Sequence, residues 1–203
     1  MTEYPTHSAG APTLLLAHGA GAGEDHPWMV RAAKGLAARG IRVLTFNFPY
    51  KEKGRSAPDP GAVLEEAFQS AWRGAARGAT GRLFAGGKSM GGRIASQAAA
   101  RGLFEPAASG LVFFGYPLHP PGKPDQRRDR HLTKIQIPLL FLHGTRDPFG
   151  SPEEMQALAD GLPAAQLHLI DGGDHSLVST KRADPSGQSI ERVLDLAGEF
   201  MAR

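Results

Sequence analysis

Apolar positions come in short, dense runs separated by longer stretches with helical spacing. Thr13 to Ala17, Ile41 to Phe48, Arg82 to Ala85, Leu111 to Phe114, Pro138 to Leu142 and Gln166 to Ile170 are rich in Leu, Val, Ile and Phe and predict strands. Most are apolar at every position rather than at alternate ones, which is the pattern of parallel strands covered by helices on both faces. Between them, Leu64, Ala67, Phe68, Ala71, Trp72 and Ala75 form one stripe at helical spacing. Met29, Ala32, Ala33, Leu36 and Ala37 form a second, ended by Gly40, and Ile190, Val193, Leu194, Ala197, Phe200 and Met201 form the last. Ser151-Pro152-Glu153-Glu154 predicts a helix start, with Ser as cap, Pro at the first helical position and Glu three residues after the cap.

Alternation of strand and helix predicts an α/β fold: a mostly parallel sheet of about six strands with helices on both faces, residues 1–203 reading as one domain. In such sheets ligands bind beyond the carboxyl ends of the strands, so the residues just after each strand carry the chemistry. One connection breaks the pattern. Tyr116 to Gln136 is polar and Pro-rich through its first half and reads as a lid loop or a surface arm.

Composition narrows the field. With no cysteine, the chain has no disulfide, thiolate metal site or cysteine nucleophile, and a cytoplasmic location fits. The 23 basic and 20 acidic residues nearly balance, which gives no reason to expect nucleic acid as a partner. The N-terminus carries Glu3 and no basic segment before an apolar run, unlike a secretory signal, and no stretch reads as a membrane span. No HExxH or clustered carboxylates suggest a metal, and no cofactor is expected. Oligomeric state is not readable.

The strand at Arg82 to Ala85 leads into Gly87-Lys88-Ser89-Met90-Gly91, a G-x-S-x-G string followed by a helical pattern. A serine on a sharp strand-to-helix turn has its hydroxyl thrust into the crevice, and the flanking glycines let backbone pass closely. In a chain with 26 glycines the string alone is weak, so partners decide. A serine hydroxyl needs a base, and the base needs an orienting acid. Asp147 stands in the loop after the strand at Pro138 to Leu142, and His175 in the Gly-rich loop after the strand at Gln166 to Ile170. Ser89, Asp147 and His175 thus occur in the order Ser, Asp, His, each after a strand. Asp171 and Asp174 remain alternatives for the acid. His18 and His143 end strands before glycine and read as structural, hydrogen-bonded to backbone.

Acyl transfer also needs two backbone N–H groups for the developing oxyanion. Met90, after the nucleophile, is one candidate. His18-Gly19-Ala20-Gly21-Ala22-Gly23, after the first strand, offers the other: Ala20 is the leading choice, with Gly21 and Ala22 as alternatives. The same loop has the glycines of a phosphate cradle, but no G-K-[ST] follows and Asn47 stands where a dinucleotide-binding chain has an acid. Gln126 to Arg130 reads as a solvated face that could attract an anion, and Lys88 is expected to point outward.

HGAGAG, GKSMGG, HGTRDPFG and GGDHS together resemble the oxyanion, nucleophile, acid and histidine segments of small, capless serine α/β-hydrolases related to dienelactone hydrolase. The segment Tyr116 to Pro124 is similar to a loop in a branch of hydrolases that includes vertebrate testis-expressed relatives. Dienelactone hydrolase has cysteine where Ser89 stands, so the resemblance does not imply its substrate. The antiparallel strands that open the larger fold are expected to be missing, since about a dozen residues precede the first strand. The residues and the resemblance together imply a carboxylesterase-like serine hydrolase cleaving a small carboxylic ester or thioester. A thioesterase, peptidase or lactonase, or a non-catalytic binding or scaffold protein on the same fold, are the alternatives.

Overall fold

The computed structural model describes residues 1–6 and 9–203. Its strands are β1 (Thr2–Tyr4), β2 (Thr13–Ala17), β3 (Arg42–Phe46), β4 (Leu83–Lys88), β5 (Gly110–Phe114), β6 (Leu139–Gly144) and β7 (Ala165–Ile170). Its helices are α1 (Pro27–Ala38), the single-turn α2 (Pro49–Glu52), α3 (Gly61–Arg77), α4 (Met90–Ala100), α5 (Pro152–Asp160) and α6 (Ser189–Ala202). The strands form one sheet in the order β1-β3-β2-β4-β5-β6-β7, parallel throughout except for β1.

The all-apolar strands are explained by two cores, one on each face. Leu15, Leu111, Phe113 and Phe141 face α3, α4 and α5, while Leu14, Leu16, Val112, Phe114, Leu140 and Leu142 face α1 and α6. Alternate residues of a strand point to opposite faces, so a strand with a helix layer on each side must be apolar at every position. The helical stripes lie where their spacing placed them: Trp72 and Phe68 are fully buried under α3, and Trp72 stacks on Phe104 at 4.5 Å.

The sheet has seven strands, not six. Thr2–Tyr4 pairs antiparallel with β3, so an antiparallel strand does open the chain. Three residues with two polar side chains give no hydrophobic signal, and the strand is held by its ladder and by Glu3 accepting from Arg42 Nε at 2.7 Å. No α-helix joins β5 to β6. That connection carries only a 3-10 turn at Leu132–Lys134, yet it is packed down at both ends, with Tyr116, Leu118 and Leu132 fully buried. Tyr116 Oη donates to Arg128 O at 2.8 Å, Arg128 N to Leu118 O at 2.8 Å, and His119 N to Phe149 O at 3.1 Å. Residues 121 to 127 form its exposed tip. No separate cap domain covers the strand ends among the described residues, and none of the described helices is long and apolar enough to cross a membrane.

The chain leaves β2 for β3 on one side, then crosses back to β4 on the other. The carboxyl ends of β2 and β4 therefore flank the crevice where a doubly wound sheet binds its ligands.

Candidate active site

Ser89 follows β4 directly and sits at φ 52°, ψ −118°, a region that non-glycine residues rarely enter. Its neighbours make the turn possible. A Cβ on Gly87 would lie 2.5 Å from Gly91 C, and one on Gly91 would lie 2.4 Å from Ala17 O. No such contact is tolerated, so both positions require glycine for close approach, as the spacing of the motif implied.

His175 lies in the loop after β7, and its ring reaches both neighbours: Nε2 is 2.8 Å from Ser89 Oγ and Nδ1 is 2.7 Å from Asp147 Oδ2. A carboxylate only accepts, so in neutral imidazole Nδ1 carries the proton and Nε2 is left to accept from Ser89 Oγ–H. Asp147 is completely buried, and its Oδ1 accepts from Phe149 N at 2.9 Å. Burial pushes its carboxyl up, but the His175 hydrogen bond, the nearby imidazoles and the Phe149 N–H outweigh it and hold Asp147 below the ordinary carboxylate range. Asp174, an alternative acid, spends Oδ1 on Ser176 N (2.8 Å) and Val178 N (3.1 Å), closing the turn that presents His175. Asp171 is exposed, and the two ring nitrogens are hydrogen-bonded to Asp147 and Ser89 instead.

Three further side chains fix the imidazole. Phe149 packs on it at 4.2 Å between centroids. Lys88 Nζ donates to His175 O at 2.6 Å, and Trp28 Nε1 donates to Ser176 O at 2.9 Å. The expectation for Lys88 is corrected here: it does not point outward but is 8% exposed, with its ammonium 5.9 Å above the Trp28 ring. Position x of G-x-S-x-G is the last residue of a strand buried on both faces, and the side chain escapes sideways under the histidine loop. Burial lowers its pKa to about 8, against the pull of Asp147 and Asp174. Neither Lys88 nor Trp28 had a sequence signal for this role, because both bonds end on backbone carbonyls far along the chain.

The loop after β2 runs beside the serine: a Cβ on Gly19 would sit 3.6 Å from Ser89 Cβ. Ala22 N donates to Gly19 O at 3.3 Å and Gly21 has φ 74°, a tight turn that leaves the Ala20 and Gly21 N–H groups outside its closing bond. Met90 is the first residue of α4, so its N–H is one of the helix's orphan donors. His18 anchors this turn, as expected: Nδ1 donates to Gly19 O at 2.9 Å and Nε2 accepts from Phe48 N at 3.1 Å. His143 Nε2 donates to Gly150 O at 2.9 Å. Burial lowers the pKa of both rings. A cleft of about 530 Å³ opens over these groups, lined among others by Gly19, Ala20, Trp28, Ser89, Met90, Phe149 and His175.

A family model for the alpha/beta hydrolase domain matches residues 10–202, and the chain belongs to that family. Among solved structures, Est1E from Butyrivibrio proteoclasticus with ferulic acid bound superposes with a TM-score of 0.77 at 15% identity, covering 100% of this chain and 96% of that one. A dienelactone hydrolase from Anabaena variabilis gives 0.73 at 19% identity, over 97% and 88% of the two chains. An α/β serine hydrolase without lid from Xanthomonas campestris gives 0.68 at 19% identity, over 96% and 84%. At these identities the likeness is one of fold.

Proposed function

We propose that the protein is a serine hydrolase that cleaves a small carboxylic ester or thioester through an acyl-enzyme on Ser89. The observation that carries this is the unbroken chain from Ser89 Oγ through His175 to buried Asp147, 2.8 and 2.7 Å, at the mouth of a cleft. Ser89 Oγ attacks the acyl carbon while His175 Nε2 takes its proton, and the same proton passes to the departing alcohol or thiol. Water then repeats the sequence to release the acid. Asp147 holds the ring with Nδ1–H toward itself and stabilises the imidazolium that forms. Met90 N–H and Ala20 N–H receive the oxyanion, one from the orphan turn of α4 and one from the Gly19–Ala22 turn.

The connection at 116–136 acts as a fixed wall in this reading, since its buried anchors Tyr116, Leu118 and Leu132 would have to leave the core for it to swing. A fluorophosphonate probe tests the proposal. It is expected to label the wild-type protein and not Ser89→Ala, with ester turnover falling on the order of 10⁴-fold or more in the variant while its thermal unfolding is unchanged. Turnover retained by a clean Ser89→Ala preparation would overturn it.

A further inference from the structure

The cleft extends past the serine to a wall made by Arg93, Arg128 and Pro117. Arg93 stands four residues after Ser89, its N–H reaching back to Ser89 O at 3.2 Å, so it occupies the same side of α4 one turn further on. Its backbone is therefore only about 6 Å along the axis from the nucleophile. Arg128 comes from the 116–136 connection, where the bonds from Tyr116 Oη and to Leu118 O hold its backbone in place.

Neither guanidinium has a counter-ion among the described residues. The acids that face this wall are already engaged: Glu65 accepts from Arg101 at 2.7 Å, and Asp129 pairs with Arg127. Asp59, which also lines the cleft, pairs with Arg55 through Oδ1, while its Oδ2 is buried without a partner. Arg93 itself makes one side-chain hydrogen bond, Nη1 to Gln97 Oε1 at 3.3 Å, and its Nε is buried with no partner. Buried donors are almost always satisfied, and buried charges are as a rule paired. The wall senses this excess. Burial and then Arg128 lower the pKa of Arg93 and outweigh the upward pull of Tyr116 and Glu65; burial and then Arg93 lower that of His131, whose Nε2 lies 2.7 Å from Ser96 Oγ behind it.

We infer that Arg93 and Arg128 form an anion subsite, and that the substrate is an acidic ester or thioester carrying a carboxylate or similar small oxyanion a few atoms from the scissile bond. This rests on the hydrolase reading above. The fork of donors on a guanidinium matches a carboxylate two bonds at a time, which a lysine or a lone amide would not do. The anion belongs either to the acyl group or to the leaving group, and both chemistries meet the same two arginines.

Two matched ester pairs distinguish these sources. For the acyl side, kcat/KM is compared for 4-nitrophenyl hydrogen glutarate and the neutral 4-nitrophenyl pentanoate. For the leaving-group side, 3-carboxyphenyl butyrate is compared with phenyl butyrate. In at least one pair the acidic ester should be preferred by the wild-type protein. That preference should shrink about tenfold or more in Arg93→Gln and in Arg128→Gln, the loss of a charge-assisted hydrogen bond, and should fade with added salt. In parallel, glutarate and benzoate are titrated calorimetrically into Ser89→Ala protein with and without Arg93→Gln. One of them should bind, and about tenfold more weakly without the arginine. Acid-to-neutral ratios that are the same in wild type and both arginine variants, with no arginine-dependent anion binding, overturn the subsite and leave the hydrolase reading standing. Arginine-dependent anion binding with no fluorophosphonate labelling and no turnover of any ester keeps the subsite and removes the hydrolase.

Discussion

Lys88 ties the strand that leads into Ser89 to the loop that carries His175: one end is bonded into β4 beside Ser89 and the other donates to His175 O. Replacing it by methionine keeps the stem and removes the tether. In the proposed hydrolase, Lys88→Met is expected to lower kcat about tenfold or more, since small displacements of a base from its reacting partner are costly, with Ser89 still accessible to a fluorophosphonate. A second readout separates this from general damage. Because burial brings the folded-state pKa from 10.5 down to about 8, the folded protein binds fewer protons than the unfolded chain between those values. Stability then rises with pH across that window, and the ammonium's burial cost is fully present below it. Urea midpoints should shift in favour of wild type over Lys88→Met as pH rises from 8 toward 10.5. A constant difference between the two proteins would show that Lys88 is not titrating there. Ser89, Asp147 and His175 could be marked as candidates from sequence because strand-end position and chain order both point to them; Lys88 could not, because its neighbours mark it as part of a turn and only the loop packed above gives it a task.

The element that most constrains the site is the β4–α4 junction. Gly91 packs against Ala17 O and His18 O, so the helix touches the very strand that leads into the Gly19–Ala22 turn. Gly91→Ala would place a methyl 2.4 Å from Ala17 O, and backbone at that position has nowhere to go. The variant is expected to be destabilised by about 2 kcal/mol or more, in the range of an overpacked core, and to lose fluorophosphonate labelling as the elbow and the β2 turn separate. Near-wild-type unfolding in urea would show that the junction yields. Other elements declare themselves locally. The helix start at Ser151 is a complete capping box, with Glu154 N donating to Ser151 Oγ at 3.2 Å and Ser151 N to Glu154 Oε2 at 2.8 Å, as its sequence pattern implied. The strand at Thr2–Tyr4 does not declare itself, because its stability comes from the edge of β3 rather than from an apolar face of its own.

At the scale of the whole molecule, histidines govern the response to acid. Burial lowers the pKa of His18, His131, His143 and His168 below 6.5. In each case the unfolded chain takes up protons that the folded protein refuses, so stability present above pH 6.5 is lost as pH falls. His119 works the other way: its burial is outweighed by Pro120 O and Glu154, its pKa is raised, and it stabilises the fold in acid. With four lowered against one raised among the described residues, the urea midpoint should drop between about pH 7 and pH 5, before the Asp147 carboxylate begins to titrate. A midpoint that stays flat to pH 5 would contradict the balance.

The chain alone determined the layered α/β architecture, since two-sided burial demands strands apolar at every position and helices with a single stripe, and it marked Ser89, Asp147 and His175 as candidates by placing each after a strand. It also marked Gly87 and Gly91, whose spacing around a serine has meaning only where backbones pass within contact distance. Only the tertiary structure decided that Lys88 turns inward, that Arg128 from a polar, surface-like run lines the same cleft as Arg93, and that Asp147 rather than Asp174 meets the imidazole. These are contacts between segments dozens of residues apart, formed by the loops at the carboxyl ends of the strands. Strand and helix patterns register burial against a neighbouring layer; they are silent about which loop ends meet, because that depends on the order in which the strands are laid side by side.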